Sequence, residues 1–294
     1  MRADGDAVEG LRRFFRDTLF PDVSSNKALI GSPVHEEEIE NTAEARTRRG
    51  DARAAEGDIG GAIEEYKRAV QLGGQHARPH TRLADAYVYT ENSARAIAQY
   101  KKAIHVAPKD AEPHFGLAEL YRRYGRIKAA IREYRIACYL DNTASFYRYR
   151  LADALCQTGY LRDALDEMHT VVSLTPDDAF YRYALAEMHV RRGERGEALE
   201  HLEQAASLAS HDDYYQLRLG ALYVLLGQAE KAVRPLRNAI RLRPTNGSYK
   251  HILGDVYQRL GRNDAADVCY EFAGALDAYD RDCVRRFHTN AGWR

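Results

Sequence analysis

The side chains of this chain suited to chemistry are eleven histidines, four cysteines and 43 carboxylates. A histidine beside a carboxylate serves acid–base catalysis, and a cysteine beside a histidine serves nucleophilic attack. Two or three such groups at fixed spacing hold a metal. None of those spacings occurs. The chain has no HExxH, no GxxxxGK[ST], no GxSxG and no GxGxxG after a strand. Cys138, Cys156, Cys269 and Cys283 form no CxxC pair. At that density they read as reduced thiols rather than a disulfide framework or zinc site. His189 falls at a core-facing position, and His169 and His201 have no partner at metal spacing. Cys156 has no sequence-adjacent histidine to activate it. The expectation is a protein that is not an enzyme, with no catalytic residue, no cofactor and no metal.

One chemical pattern does recur. Asp51, Asp85, Glu119, Asp153, Glu187 and Asp255 fall in one column of a 34-residue register, which Ala221 interrupts. The register starts at Ala43, Ala77, Ala111, Ser145, Ala179, Asp213 and Gly247 and runs to residue 280 without insertion or deletion. Its eighth position is always small: Gly50, Ala84, Ala118, Ala152, Ala186, Gly220, Gly254. Its twentieth is always alanine: Ala62, Ala96, Ala130, Ala164, Ala198, Ala232, Ala266. In the third copy Leu117, Ala118 and Tyr121 form one apolar helical stripe, and Ala130, Tyr134 and Ala137 form another. Gly125 between them stops the first helix in the left-handed conformation. The small columns let the two backbones approach closely, and a bulky residue there would overpack the crossing.

This pattern resembles the tetratricopeptide repeat family. The small eighth residue and the alanine twentieth are met in every copy, and the leucine seventh by Leu83, Leu117, Leu151, Leu185, Leu219 and Leu253. The turn glycine appears as Gly57, Gly125, Gly159, Gly193, Gly227 and Gly261, and the late proline as Pro108, Pro176 and Pro244. The resemblance implies an all-α fold, a right-handed α-solenoid of seven helix-turn-helix repeats at 43–76, 77–110, 111–144, 145–178, 179–212, 213–246 and 247–280. A 1–42 extension precedes them, and a capping helix with a short tail, 281–294, follows. Three departures stand out. The large fourth residue is polar here (His80, His114, Arg148, Arg182, Gln216, Lys250). Arg49 replaces the first leucine, which weakens that repeat's core. Glu91 replaces a turn glycine, so that turn is expected to be reshaped around Asn92 and Ser93.

In this family the first helices line the concave face through their second, fifth, ninth, twelfth and thirteenth positions. The resemblance therefore implies a peptide-binding groove lined by Phe115, Glu119, Arg122, Phe146, Tyr149, Asp153, Phe180, Tyr183, Glu187 and Tyr214. Aromatic residues give contact area at low entropy cost, and the acids favour a partner carrying Lys or Arg. An internal role stays open beside this one. Arg48, Arg82, Arg150 and Arg218 occupy the sixth position, and three of them precede an acid at ion-pair spacing. The aromatics equally suit packing between repeats. The family's carboxylate clamp uses Lys and Asn where this chain has Thr47 and Asp51, which argues against a chaperone-tail ligand.

Residues 7–20 fit an amphipathic helix ended by Pro21. Its Phe14, Phe15, Leu19 and Phe20 either cap the chain's own solenoid or form a docking helix for a partner or a second copy. Trp293, the only tryptophan, sits next to last, either disordered or as a hook into a partner. Residues 281–294 read as a solvating helix. Equal numbers of basic and acidic residues, 43 each, argue against nucleic acid as a partner. No segment reaches the apolar length of a membrane span, and the N-terminus lacks a secretory pattern, so a cytoplasmic location is expected. The functional expectation is a scaffold, adaptor or assembly factor that binds a peptide segment of a protein partner. The alternative is a permanent accessory subunit of a multi-subunit complex or a self-assembling homo-oligomeric scaffold.

Overall fold

A computed structural model describes residues 42–293. Among them are fifteen helices and no strand. The first helices of successive pairs are α1 (Ala43–Ala55), α3 (Ala77–Tyr89), α5 (Ala111–Arg123), α7 (Ser145–Gln157), α9 (Ala179–Arg192), α11 (Asp213–Leu225) and α13 (Gly247–Arg259). The second helices are α2 (Ile59–Leu72), α4 (Ser93–Val106), α6 (Ile127–Leu140), α8 (Leu161–Leu174), α10 (Arg195–Leu208), α12 (Ala229–Leu242) and α14 (Asn263–Ala273). A final helix, α15, spans Ala278–Asn290. Residues 7–20, with Phe14, Phe15, Leu19 and Phe20, lie outside the described residues.

Short-range chemistry sets the helix ends. Asp110, Asp178, Asp212 and Asn246 accept backbone N–H groups of α5, α9, α11 and α13, which satisfies donors that a helix start leaves free. The turn glycines take φ between 69° and 87°. Glu91 is the one non-glycine among the described residues that does the same, at φ 60°. Its turn is not reshaped. Asn92 N–H donates to Tyr87 at 2.8 Å, as Arg126 N–H donates to Tyr121 in the next repeat. Packing of the flanking helices imposes the left-handed conformation on a residue that resists it.

The alanine column is fully buried at every helix crossing. At Gly50 a Cβ would sit 2.4 Å from the Tyr66 ring, and at Gly254 2.6 Å from the Tyr270 ring. Those glycines are required because a tyrosine lies flat on the backbone there.

The polar fourth column also has a structural explanation. In the first four repeats its members bond the twenty-third position on the second helix of their own repeat, whereas Arg182 donates to Gln204, Gln216 to the Ala206 carbonyl and Lys250 to the Phe272 carbonyl. Arg46 donates to Glu65 at 3.0 Å, and Arg148 to Glu167 at 2.9 Å. His80 meets Gln99 at 2.7 Å, and His114 meets Glu133 at 2.8 Å. A buried polar pair thus stands where the family has an apolar contact. The first helix, with Arg49 in place of leucine, buries only Thr47 and Gly50.

The chain divides into two compact units between Tyr147 and Arg148, inside α7. The first unit is centred on Tyr66, Leu83, Tyr87, Tyr100, Leu117 and Leu120. In it, successive first helices also touch one another, α1 with α3 and α3 with α5. The second unit has one cluster around Leu202, Tyr215, Leu219 and Leu222, and another around Leu236, Ile252, Val256, Val284 and Phe287.

Helix α15 differs from the solvating helix read from the sequence. It starts at Ala278, where the Asp277 carboxylate caps the Asp280 N–H at 2.8 Å. It packs on two first helices, α11 and α13. Val284, Phe287 and Ala291 are buried there, one stripe at helical spacing. Trp293 folds back on the same cluster, with the Arg259 guanidinium 4.0 Å above its ring.

Candidate functional site

The inner-face chemistry of the first unit is consumed internally. The ninth-position acid of each repeat accepts a hydrogen bond from a tyrosine fifteen residues later. Tyr66 donates to Asp51 at 2.9 Å, Tyr100 to Asp85 at 2.6 Å, and Tyr134 to Glu119. Arg82 lies within 3.7 Å of Asp51, 3.5 Å of Asp85 and 3.0 Å of Glu112. Burial raises the Asp85 carboxyl above its ordinary range, against the pull of Arg82. Burial likewise raises the Tyr66 and Tyr100 hydroxyls, so they remain donors at neutral pH.

Two expected groove residues are therefore not on open surface. Phe115 and Glu119 are both buried. Phe115 lies against Tyr134, Phe146 and Tyr147, with centroids 5.7, 5.5 and 4.3 Å away. Glu119 also holds the half-buried Arg122 at 3.4 Å.

In the second unit the tyrosine column changes. Met168, Leu202 and Leu236 replace it, and tyrosine returns only as Tyr270, which donates to Asp255 at 2.7 Å. Asp153 and Glu187 keep their carboxylates without it. Glu187 takes Arg218, which also lies 5.8 Å from the Tyr183 ring. Among the described residues Asp153 accepts only the neutral Gln157 amide, at 2.9 Å. Of the six ninth-position acids, it alone has neither a tyrosine hydroxyl nor a cation among those residues. Ala221, the exception in the acid column, is buried with Leu236 in the cluster that α15 completes.

The aromatic columns form a ladder. Tyr149 meets Phe180 at 5.1 Å and Tyr181 at 5.6 Å, and Tyr183 meets Tyr214 at 5.4 Å and Tyr215 at 5.6 Å. Each fifth-position ring is clamped by the second and third positions of the following repeat, which joins repeats through edge and tilted contacts. The Tyr183 and Tyr214 hydroxyls are 2.8 Å apart. Phe180 and Tyr214 remain 44% and 46% exposed, so the ladder has an open rim. Both functions weighed from the sequence, inter-repeat packing and exposed aromatic surface, meet in these rings.

The histidines draw together more than their spacing suggests. His169, His189 and His201, on α8, α9 and α10, lie with ring centroids 5.5 to 6.1 Å apart. His189 bonds Glu194 through Nδ1 at 2.9 Å, while its buried Nε2 and the Nδ1 of His201 have no partner. Burial, then His189 and His169, lowers the His201 pKa. Among the described residues no group of three His, Cys, Asp or Glu side chains is placed to hold a metal. Cys156 is buried and accepts from Arg191 at 3.1 Å.

Models described as Tetratricopeptide repeat match residues 81–145, 149–214 and 248–273, together more than half of the chain. The chain belongs to the tetratricopeptide repeat family. It is similar in fold to the C-terminal part of a TPR repeat-containing protein from Cytophaga hutchinsonii, with 16% identity and a TM-score of 0.66 over 81% of this chain and 99% of that one. A tetratricopeptide repeat protein from Parabacteroides merdae is 15% identical, with a TM-score of 0.57 over 83% and 98%. YrrB, described as a TPR protein with an unusual peptide-binding site, is 20% identical, with a TM-score of 0.50 over 60% and 91%. No curated protein sequence matches the chain. Among the described residues no helix is long and apolar enough to cross a membrane.

Proposed function

We propose that the chain is a non-catalytic protein-interaction scaffold whose second unit binds a peptide segment of a protein partner. The site is the inner face of α9 and its neighbours, with Phe180 and Tyr214 as the exposed rim, Tyr149 and Tyr183 beneath, and Asp153 and Glu187 alongside. One observation carries this reading. Phe180 and Tyr214 are large rings left nearly half exposed, and Asp153, on a first helix of the same unit, is held among the described residues only by the neutral Gln157 amide. Large aromatic surface left exposed is what a binding surface offers and a packing surface does not. The fold supports it, since stacked helix pairs present such columns along one face.

The test keeps the ladder intact. Replacing all of Phe146, Tyr149, Phe180 and Tyr183 with alanine would remove inter-repeat packing together with the rim. Phe180→Gln with Tyr214→Gln removes the rim alone. Peptides selected from a random display library on the wild-type chain are expected to bind this double variant about tenfold more weakly or worse. Equal affinity, at unchanged helicity by circular dichroism, would refute the site.

A further inference from the structure

The inner face of the second unit already holds one helix. Helix α15 lies on α11 and α13 against Leu217, Ala221 and Val224, the fifth, ninth and twelfth positions of their repeat. It offers Val284, Phe287 and Ala291 as an apolar stripe. Beside that stripe, His288 Nε2 reaches Asp255 Oδ2, a ninth-position acid, at 2.8 Å. Trp293 then covers Arg259, a thirteenth-position residue. The chain thus displays on itself how these columns receive an amphipathic helix, with apolar residues on the fifth-to-twelfth stripe and a basic group on the ninth-position acid.

The neighbouring surface on α7 and α9 offers the same columns without an occupant among the described residues of the unit. Tyr149 and Tyr183 replace Leu217 in the fifth column, and Asp153 and Glu187 stand in the ninth. Arg218 neutralises Glu187. Asp153 is more available than Asp255, which already accepts the Tyr270 hydroxyl. Resting on the groove reading above, we propose that the partner is an amphipathic helix carrying a basic residue that pairs with Asp153, seated as α15 seats His288 on Asp255. Charge complementarity with Asp153 favours the basic residue, and continuity with the α15 seat favours a helix over an extended strand, which would place successive side chains on opposite faces.

The probe is a fluorescein-labelled peptide of residues 277–293 with His288→Lys, measured by anisotropy on the full chain. A second peptide carries His288→Glu, and a third adds Asp282→Pro and Arg286→Pro to the first to forbid the helix. The lysine probe is expected to bind at least about tenfold more tightly than either control. The protein variant Asp153→Asn, which loses only the Gln157 contact, is expected to bring lysine and glutamate probes within about threefold of each other. Equal binding of the proline probe overturns the inference, as does discrimination that survives Asp153→Asn. If no probe binds at about 1 mM while library-selected peptides still depend on Phe180 and Tyr214, the helix inference falls and the groove stands. If those peptides ignore Phe180 and Tyr214 as well, both fall.

Discussion

The second and sixth repeats carry the same pair of helices and resolve one coupled pair of positions, the ninth and the twenty-fourth, in different ways. In the second, Asp85 is bonded by Tyr100; in the sixth, Ala221 and Leu236 share one apolar cluster. Both solutions satisfy the same rule, that a buried polar group is kept with its partner or lost with it. The fourth and fifth repeats do neither. They retain Asp153 and Glu187 but replace the tyrosine with Met168 and Leu202. Glu187 has Arg218 in place of the tyrosine, and Asp153, with only the Gln157 amide among the described residues, is the carboxylate available for another purpose. The comparison therefore separates acids that hold the fold from the acid that the fold leaves over.

The sharpest way to break this comparison is to convert one repeat into the other. Tyr100→Leu should cost about 3 kcal/mol in urea denaturation, because it removes a fully buried ring and leaves the half-buried Asp85 with Arg82 alone. Adding Asp85→Ala, which reproduces the sixth repeat, should recover more than half of that loss. Simple additivity of the two losses would show that the pair is not coupled. Next in size is the ladder. Tyr183→Ala should lower the stability of the second unit by about 2 kcal/mol, whereas Phe180→Gln at the rim should cost less than about 1 kcal/mol. Fluorescence of Trp293, docked in that unit, reports both; equal losses would mean that the rim is structural.

The turn offers a smaller gain. Glu91→Gly should stabilise the first unit by about 1 kcal/mol, since glycine takes the left-handed φ freely and the ion pair lost with Arg123 is solvent-exposed. A loss of stability would mean that this contact outweighs the backbone strain. The smallest effect is expected at the histidines. His201 has a folded pKa below its ordinary 6.5, so its neutral form is the one the fold prefers. Its contribution is complete above about pH 6.5 and declines as pH falls through the folded pKa. The groups around it are His189, His169, Glu200 and Arg182, with Glu194 bonded to His189. His201→Gln, which copies Gln99 of the second repeat, should flatten the loss of Trp293-monitored stability on acidification. An unchanged pH profile would place the proton uptake elsewhere.

Much of this was legible in the sequence. Alanine at the twentieth position, a small eighth residue and a glycine in the turn act within one helix crossing, so their spacing alone predicts the paired helices and their ends. The pairing of columns nine and twenty-four was also present, as a tyrosine with the acid in four repeats and Leu236 with Ala221 in the sixth, Met168 and Leu202 being the exceptions, but it appears only when the two columns are compared. The burial of Phe115 was not legible. Its ring is closed off by Phe146 and Tyr147, residues of the next repeat, and the same columns leave Phe180 and Tyr214 exposed. Glu91 misled for a related reason, because local preference argued for a new turn and the packing of α3 and α4 kept the old one.

The sequence by itself determined the period, the helices, the turns and the family, because each rests on contacts within a turn of helix or across one tight crossing. Only the tertiary structure decided which acids are spent, which rings are rungs and which are rim, and that α15 lies on the inner face instead of extending the stack. Those outcomes depend on side chains fifteen or more residues apart, on different helices. Whether they meet is fixed by the packing of helices, which no spacing along the chain encodes.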